Sequence, residues 1–454
     1  MVSFILPGNS ATGGYDVANS CRFNSGSTDH LDITFGSAGN RRTFTVSFWL
    51  KTTTKETYNT IFDSGADGSN SDDIYFHTGR LNFSGYYGST QFMLRTKAKY
   101  RDPSAWTHFV VAFDTTQSTA SNRLKMYANG VQETAFDDET YPSQDFQTTY
   151  MNTARLHNIG TLVDSDNFPL DGYLAEFVFI DGQALDPTSF GEFDSDSPNI
   201  WKPIDVTGLT FGTNGFYLDF ENSSSLGADQ SGNSNDFTVG NLTSVDQSTD
   251  TCTNNFATMN PLIPESSSQT FSEGNLKLTG GGSDSLTTHY GLSTIAVSSG
   301  KWYVEAKATT TVTSQAILGL ISTSESIGSS LKDEGVAAVE KSGRITGGGN
   351  NIETGLTAFS NGDIAGLAFD ADNGTAQFYR NGSAYGNAVS SIASDTYYIA
   401  TNSYDAGAVV EFNFGSPPFS ISSGNADANG YGNFEYAVPS GYYALNSKNL
   451  AEFG

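Results

Sequence analysis

The stretch GLAFDADNGTAQFYRNG, residues 366–382, indicates how this chain folds. It contains two short runs rich in apolar and aromatic residues, separated by a polar turn. Asn373-Gly374 predicts a tight hairpin at that turn, because a type I′ turn needs positive φ at both central residues. Phe378 then lies on one face of the return strand and Tyr379 on the other, since side chains alternate along a strand.

The same pattern occurs earlier in the chain, in VVAFDTTQSTASNRLKMYANG (110–130), with a longer loop. Helical periodicity is nearly absent, whereas short alternating runs bounded by Gly, Asn, Asp or Ser recur. The clearest are TFTVSFWLK (43–51), THFVVAFD (107–114), LAEFVFIDG (174–182), KWYVEAKAT (301–309), TYYIATN (396–402) and AVVEFNFG (408–415). This pattern predicts an all-β fold of two antiparallel β-sandwich domains. One short helix is expected around 186–193, where Asp186 is placed to cap the helix and Pro187 to occupy its first turn.

The domain organisation follows from length and punctuation. At 454 residues the chain is too long for one ordinary core. MNPLIPESSSQT (259–270) combines two prolines with a serine run, and the strand pattern restarts after it. We therefore predict one domain over 1–262, a linker over 263–270 and a second domain over 271–454. Segment 221–258 is polar and rich in Asn, Ser and Asp, but its apolar residues favour a loop that wraps the first domain.

Charge and composition exclude several classes of function. The chain has 22 Lys and Arg against 49 Asp and Glu, a formal net charge of −27. Nucleic acid is therefore not an expected partner, because binding it requires cations that neutralise phosphate. No apolar run approaches the ~20 residues of a membrane-spanning helix, and MVSFILPGNS (1–10) lacks the basic region of a signal peptide. We expect synthesis in a cytoplasm and no membrane insertion.

The two cysteines, Cys21 and Cys252, are too few for a disulfide-stapled scaffold. They pair only if the two ends of the first domain lie side by side. Two unpaired thiols are the favoured interpretation.

Several motifs are similar to known families. The first half resembles the laminin-G-like, concanavalin A-like jelly roll, in CRFN (21–24), TFTVSFWLKT (43–52), WTHFVVAFD (106–114), LKMYANGV (124–131) and LDGYLAEFVFIDG (170–182). The second half resembles the SPRY domain, in SGKWYVEAK (299–307), GDIAGLAFD (362–370), AQFYRNG (376–382) and VVEFNFGSPPF (409–419). Both families are two-sheet antiparallel sandwiches, so the resemblance implies a jelly roll followed by a SPRY-like sandwich.

The segments between and around these motifs resemble structural proteins of tailed bacteriophages, especially marine ones. They are AGNRRTFTVSFWLK (38–51), IDGQALDPTSFGEFD (180–194), TCTNNFATMNPL (251–262) and VPSGYYALNSKNL (438–450). The resemblance implies a component of the virion, made in the host cytoplasm and assembled with other virion proteins. Homo-oligomerisation is expected, because virion appendages have closed symmetry. Location in the head or in the tail stays open.

Catalytic signatures are absent from the sequence. Glycoside hydrolysis needs two carboxylates roughly 5–10 Å apart, and a Glu-x-Asp-x-Glu motif does not occur. Glu176 and Glu411 are isolated acids in strands and are expected to face solvent. The five histidines lack the spacing of a zinc pair, and His108 is expected to be a structural strand residue. We predict no catalytic residue and no enzymatic activity.

Two groups of residues are candidates for binding. Tyrosines in contexts rich in Gly, Ser and Asn can stack on sugars or anchor a protein partner; these are Tyr86, Tyr87, Tyr290, Tyr385 and Tyr404. Laminin-G-like modules bind calcium through loop acids, which makes Asp164, Asp166 and Asn167 a candidate calcium site. Solvated loop acids are the favoured alternative, and no other cofactor is expected.

These observations predict a non-enzymatic virion protein, fibre-like or capsid-associated, that binds host-surface glycan or another virion protein. One alternative is a purely architectural capsid or tail subunit. The other is a glycan-depolymerising hydrolase on a jelly-roll fold.

Overall fold

A computed structural model describes residues 14–53, 58–262, 269–281, 290–310, 315–325, 327, 330–403 and 407–454. The contacts of the chain divide it into two units. The N-terminal unit ends at Thr253 and the C-terminal unit runs from Asn254 to Gly454.

The N-terminal unit consists of strands and three short 3-10 helices, Ala120–Asn122, Pro187–Ser189 and Ser244–Asp246. Its strands are β1 (Ser20–Phe23), β2 (His30–Thr34), β3 (Thr43–Thr52), β4 (Asn59–Asp67), β5 (Asn70–His77), β6 (Arg80–Tyr87), β7 (Thr90–Thr96), β8 (Thr107–Asp114), β9 (Leu124–Ala128), β10 (Val131–Gln132), β11 (Phe136–Thr140), β12 (Leu156–Ile159), β13 (Gly172–Asp181), β14 (Gly191–Phe193), β15 (Trp201–Pro203), β16 (Phe216–Leu218), β17 (Thr238–Gly240) and β18 (Gln247–Ser248).

Two antiparallel sheets of the N-terminal unit enclose one core. The back sheet has the order β10-β9-β8-β3-β13-β1-β18, with β16 added on β13, and the front sheet has the order β11-β7-β6-β5-β4-β12-β2-β17. Phe44 of the back sheet lies edge-on to Phe83 of the front sheet, with ring centroids 6.3 Å apart. Both rings are fully buried in the largest apolar cluster of the unit. The unit is therefore a β-sandwich whose core is rich in phenylalanine.

The C-terminal unit is a second sandwich with two short helices, α1 (Leu331–Glu334) and α2 (Ser447–Phe453). Its strands are β19 (Thr270–Ser272), β20 (Lys277–Thr279), β21 (Tyr290–Val297), β22 (Lys301–Ala308), β23 (Gln315–Ser322), β24 (Ala337–Glu340), β25 (Arg344–Gly347), β26 (Asn350–Glu353), β27 (Ile364–Asp370), β28 (Thr375–Arg380), β29 (Ser383–Ala384), β30 (Tyr397–Ser403), β31 (Val409–Asn413) and β32 (Tyr443–Ala444).

The sheets of this unit have the orders β19-β20-β31-β22-β27-β28-β29 and β21-β30-β23-β24-β25-β26. Strand β32 runs parallel to β22. Phe369 of the first sheet and Tyr397 of the second meet edge to face, 5.6 Å apart. The all-β class and the two-sandwich architecture expected from the sequence are thus confirmed. Neither helix, nor any other in the described ranges, is long and apolar enough to cross a membrane.

The strands predicted from alternating patterns are confirmed, but one turn differs from the prediction. Asp370 pairs with Thr375, so the β27–β28 loop has four residues. Gly374 has φ +60°, whereas Asn373 is not among the residues with positive φ, so the expected type I′ turn is wrong there. The Asp370 carboxylate instead accepts hydrogen bonds from the backbone and side-chain amides of Asn373, which closes the longer loop.

The Asn-Gly pairs that end both repeated stretches do form the predicted type of turn. Asn129 and Gly130 have φ of +45° and +78°, and Asn381 and Gly382 have +49° and +76°. Each asparagine also joins its turn to a third strand. The Asn129 amide donates to the carbonyl of His108 (2.8 Å) and Asn129 Oδ1 accepts from the His108 amide (2.9 Å). We call this reciprocal pair the asparagine clasp.

The clasp in the C-terminal unit has the same geometry. Asn381 exchanges two hydrogen bonds of 2.9 Å with the backbone of Ile364. In both units an aromatic ring lies over the glycine of the turn. A Cβ would come within 2.3 Å of the Trp201 ring at Gly130, and within 2.5 Å of the Tyr436 ring at Gly382. The sequence pattern is therefore repeated because both units tie a hairpin to a third strand with the same Asn-Gly turn.

The end of the N-terminal unit supplies the last strand at one edge of each of its two sheets. Strand β17 pairs with β2 and β18 pairs with β1. Phe237 and Leu242 of this segment lie in the core of the sandwich. Farther on, Asp250 accepts hydrogen bonds from Lys51 Nζ (2.6 Å) and Trp106 Nε1 (3.0 Å), with the lysine and aspartate side chains at most 1% exposed. Removing either partner would leave the other charge buried without compensation, so this contact is sensitive to substitution.

The division between the units precedes the predicted boundary at 262. Residues 254–262 join the C-terminal unit instead. The Ala257 amide donates to the Leu445 carbonyl, the Met259 amide to that of Asn275, and the Met259 side chain is fully buried in the second core. Phe256, expected to anchor the wrapping loop, is likewise buried in an apolar cluster of the C-terminal unit. Most of the predicted linker 263–270 lies outside the described residues.

The predicted short helix is confirmed as the 3-10 turn Pro187–Ser189, with Asp186 accepting from the Thr188 amide and Pro187 in the first turn.

The asparagine clasp is expected to stabilise the N-terminal unit in two separable ways. Asn129→Ala removes the acceptor for the buried His108 amide and places alanine at positive φ, so it should cost about 2–3 kcal/mol. Asn129→Gly relieves the backbone strain but still lacks the acceptor, and should cost less than alanine. Asn129→Asp keeps a side-chain oxygen to accept from the His108 amide and tolerates positive φ, so it should cost least. Urea unfolding of the full chain measures these differences, and equal costs for Ala and Asp would contradict the role given to Oδ1.

The division between units predicts how fragments behave. Residues 1–253 and 254–454 should each unfold cooperatively when expressed alone. Fragment 271–454 lacks the buried Met259 side chain and its backbone hydrogen bonds, so it should be less stable than 254–454 by about 2–5 kcal/mol. Denaturation followed by circular dichroism tests this. Equal stability of 254–454 and 271–454 would show that residues 254–262 contribute nothing to the second core.

Candidate functional site

A row of polar side chains crosses the outer face of the front sheet. Strand register places Asp63 opposite Asp73 on one side and opposite Asn158 on the other. The row continues from Asp73 to Ser84 and from Asn158 to Asp32. Residues directly opposite each other on adjacent strands share a face of the sheet. Five adjacent strands (β6, β5, β4, β12 and β2) therefore each contribute one polar side chain to this row.

A pocket of about 210 Å³ lies over this row. It is lined by two aromatic rings, four aspartates and small residues: Tyr58, Asp63, Gly65, Asp67, Gly68, Ser71, Asp73, Leu162, Asp164 and Phe168. Every charged residue in this lining is an aspartate. The rings of Tyr58 and Phe168 meet with centroids 4.5 Å apart. Phe168 is 49% exposed, so its ring is available to a ligand.

The two central carboxylates differ in their hydrogen bonding. Asp73 Oδ1 accepts from Ser84 Oγ (2.6 Å) and Asp73 Oδ2 accepts from Tyr58 Oη (2.7 Å). Asp63 Oδ2 accepts from the Val163 amide (2.8 Å). Asp63 Oδ1 is buried and has no hydrogen-bond partner among the described residues. The Asp63 side chain is thus an incompletely satisfied acceptor within the pocket lining.

Burial controls the ionisation of this pair. Removal from water raises the pKa of Asp63, and the nearby charges of Asp73 and Asp164 raise it further. Burial also raises the pKa of Asp73, although the hydrogen bonds from Ser84 and Tyr58 act in the opposite direction. Burial therefore favours the protonated form of both acids, whereas a positive charge bound beside them would favour the ionised form.

The two acids of this pair stand ten residues apart in the sequence. Asp63 and Asp73 delimit DSGADGSNSDD (63–73), whose acids look like loop ligands. In the structure both lie within strands, on either side of the β4–β5 turn, and face each other across the sheet. The carboxylate pair that the sequence lacks at close spacing is thus formed by a hairpin.

The predicted tyrosines of the N-terminal unit have different environments. Tyr86 is 40% exposed and lies opposite Ser71, a lining residue, so its ring is on the pocket face. Tyr87 is half-buried: its hydroxyl donates to Asp72 (2.5 Å) and accepts from the Thr149 amide (3.0 Å). Tyr86 is therefore placed beside the pocket, whereas Tyr87 braces a loop.

The predicted tyrosines of the C-terminal unit do not form an exposed group. Tyr290 is 2% exposed and donates to Glu334 Oε2 (2.8 Å), and Tyr385 is 7% exposed and donates to the Thr357 carbonyl (2.7 Å). The expectation that these two rings lie on the surface is wrong, because each hydroxyl finds an internal acceptor that lets the ring pack inside. Tyr404 lies outside the described residues.

The candidate calcium residues do not converge. Asp164, Asp166 and Asn167 are all exposed, and of the three only Asp164 lines the pocket. Within the described ranges, no three or more His, Cys, Asp or Glu side chains are placed to hold a metal ion. The donor set is therefore too small for the hard, oxygen-rich shell that calcium prefers.

Glu176 departs from its expected position on the surface. It is 6% exposed, and its carboxylate accepts from Tyr217 Oη at 2.9 and 3.0 Å. It sits at an irregularity of β13 with φ +49°. Burial raises its pKa to about 8, with hydrogen bonds from Tyr217 and Tyr15 partly opposing. This acid belongs to the packing of the back sheet.

His108 has the structural role expected of it. Trp201 Nε1 donates to its Nδ1 (3.0 Å), and its Nε2 lies 2.8 Å from Ser47 Oγ. Burial lowers its pKa to about 3, so the ring is neutral. Both cysteines, Cys21 and Cys252, are free and buried, in agreement with the favoured interpretation.

Comparison with known proteins bears on the fold. Residues 25–188 match the sequence profile of the Concanavalin A-like lectin/glucanases superfamily (Laminin_G_3). This segment contains β2 to β13, so most of the N-terminal sandwich is similar in sequence to that superfamily. No match was found among curated proteins.

Three solved structures are similar to parts of the chain. The SPRY domain of human HERC1 has a TM-score of 0.26 and 18% identity, over 30% of this chain and 87% of that chain. The TRIM65 PSpry domain has 0.28 and 14%, over 35% and 88%. The native heptameric SAP-like pentraxin from Limulus polyphemus has 0.29 and 16%, over 38% and 80%. Such likenesses concern the fold alone.

Glu176 predicts a pH dependence of stability. Its folded pKa of about 8 exceeds the ordinary value of 4.5, so the folded state binds its proton more tightly. Stability from the protonated form is complete below pH 4.5 and is lost as the pH rises towards 8. A glutamine cannot titrate, so the free energy of unfolding of Glu176→Gln should exceed that of the wild type by up to about 4 kcal/mol at pH 8. Unfolding at pH 4.5 and pH 8 measures this, and a pH-independent difference would contradict the assignment.

Proposed function

We propose that this chain is a non-enzymatic structural and adhesion protein of a tailed-bacteriophage virion, and that it binds host-surface glycan in the pocket of the front sheet. The observation that carries the proposal is the unpartnered Oδ1 of Asp63 within a pocket flanked by aromatic rings. A buried acceptor without a donor costs about 1–3 kcal/mol. A sugar hydroxyl would supply that donor.

The size and lining of the pocket fit part of a glycan. Its volume of about 210 Å³ lies below the roughly 300–1,000 Å³ of pockets for drug-sized ligands. One sugar ring fits this space, with the rest of the glycan in solvent. Phe168 and Tyr86 are exposed beside it and offer flat apolar faces on which sugar rings stack.

The sequence comparison supports carbohydrate binding at the level of the superfamily, whose description includes both lectins and glucanases. The virion assignment rests on the resemblance of residues 38–51, 180–194, 251–262 and 438–450 to phage structural proteins. The net charge of −27 supports partners other than nucleic acid. Other virion proteins, and further copies of this chain, complete the proposed set of partners.

A hydrolase is the second candidate, because Asp63 and Asp73 form a carboxylate pair in the pocket. Acid–base cleavage of a glycan uses two carboxyl groups, one protonated as the acid and one ionised as the base or nucleophile. Binding is favoured over cleavage because both Asp73 oxygens already hold donors from Ser84 and Tyr58. A carboxylate so engaged is poorly placed to attack a sugar or to activate water.

Glycan binding predicts a loss on removing an exposed ring. Phe168→Ala in the full chain should weaken binding to a glycan array of host polysaccharide by about 1–2 kcal/mol, five- to thirtyfold. Phe193→Ala is the matched control, since Phe193 is 44% exposed but belongs to β14. Melting temperature should hardly change in either variant.

Four outcomes would contradict the proposal or one of its parts. Equal binding by the two variants would separate the glycan from the pocket, and no binding to any host glycan would favour the architectural alternative. New reducing ends that disappear in Asp63→Asn would establish the hydrolase. Labelled antibodies that fail to decorate purified phage particles would remove the virion assignment.

A further inference from the structure

We infer that the sugar taken by this pocket carries a protonated amine, as a glucosamine unit without its acetyl group does. The inference rests on the proposed glycan binding and specifies its ligand class. It is drawn from the charges that surround the unpartnered oxygen of Asp63.

The charge of the pocket is all of one sign. Asp63, Asp67, Asp73 and Asp164 line it, and no lysine, arginine or histidine is among the lining residues that the structure describes. Arg95, on the same face of the front sheet, is already bound to Asp138 (2.8 Å) and to Asn82 Oδ1 (2.8 Å). A neutral hydroxyl would satisfy one acceptor but would leave four clustered acids without a counter-charge. An ammonium group supplies three donors and the missing charge together.

The hydrogen bonds show where that ammonium would sit. Asp73 is occupied by Ser84 and Tyr58, and Asp67 Oδ1 accepts from the Ser69 amide (2.8 Å). Asp63 lines the pocket, and its Oδ1 is a buried acceptor with no hydrogen-bond partner among the described residues. Charge on Asp164, at the exposed rim, adds long-range attraction. The faces of Tyr58 and Phe168 complete the environment, because a cation within about 6 Å of an aromatic ring is further stabilised.

A metal ion is a weaker occupant of the same position. The described residues hold no group of three or more acidic, histidine or cysteine ligands in metal-binding geometry. Aromatic faces add nothing to a divalent cation that keeps its water shell, whereas they stack on the ring that carries an amine. The lining therefore fits an organic cation better than an inorganic one.

The test compares two trimers that differ in whether their amines are free or acetylated, and uses salt and pH to isolate the effect of charge. Calorimetry with the full chain should show that the trimer of glucosamine binds at least tenfold more tightly than the trimer of N-acetylglucosamine, at low salt and at a pH where the amine is protonated. The preference should shrink at high salt, since exposed charges are screened. It should vanish when the pH is raised until the amine is neutral. Added calcium should leave it unchanged.

Two exposed loop residues give a matched pair of variants. Asp164→Asn should reduce the preference by about three- to tenfold, because it removes a rim charge from the pocket. Asp166→Asn removes the same charge two residues away, outside the lining, and should change little. Asp63→Asn should abolish the preference, and the melting temperature establishes that each variant is folded.

The outcomes separate this inference from the proposed function. Equal affinity for both trimers would overturn the inference and leave glycan binding intact. The same holds if host glycans bind and neither trimer does. Absence of binding to the trimers and to every host glycan would overturn the proposed function as well. A preference for the glucosamine trimer that survives both Asp63→Asn and Asp164→Asn, or one that requires calcium, would overturn the inference about the amine.

Discussion

An asparagine side chain that binds a neighbouring strand sets the register of both sandwiches. In each unit the asparagine of an Asn-Gly turn donates its backbone amide to a third strand and accepts from that strand with its side-chain oxygen, at His108 in one case and Ile364 in the other. Register matters because a slip of one residue would turn every core side chain of a strand outward. Phe109 and Phe113 of β8, both buried, are positioned by this constraint. The two units of the chain thus fix these strands with the same Asn-Gly dipeptide.

The fold was accessible from the sequence because its signals are local. Alternation of apolar residues predicted β3, β8, β22 and β27 with small errors at their ends. The signal lies within each strand, because every second side chain of a strand faces the core. The turn at 373–374 was harder. Asn-Gly fits a type I′ turn in isolation, but here Asp370 binds Asn373 and selects a four-residue loop. The division between the units was also displaced, because Met259 packs into a core that the prolines after it do not reveal.

The candidate site was less accessible because its parts are joined by pairing across strands. Asp63 and Asn158 are far apart in the chain and become neighbours only in the folded sheet. The polar residues around Tyr290 in the sequence suggested an exposed ring. The ring is buried instead, because the acceptor of its hydroxyl, Glu334, lies on a separate helix. Glu176 was misplaced for the same reason, since Tyr217 determines its burial. Tyr86 could be anticipated, because an exposed ring needs no partner. Composition therefore predicts exposure poorly wherever a distant residue satisfies a polar atom.

The segment that ends the N-terminal unit has a consequence for how copies of this protein behave when crowded. Open sheet edges template the addition of strands from other molecules, and so lead to aggregation. Here β17 and β18 occupy one edge of each sheet, and the Lys51–Asp250 pair holds that segment in place. At the opposite edges, β10 has two residues and β11 carries three acids in succession. The edges of these two sheets thus end in strands that are short (β10, β17 and β18) or acidic (β11), which disfavours strand pairing between copies through the N-terminal unit.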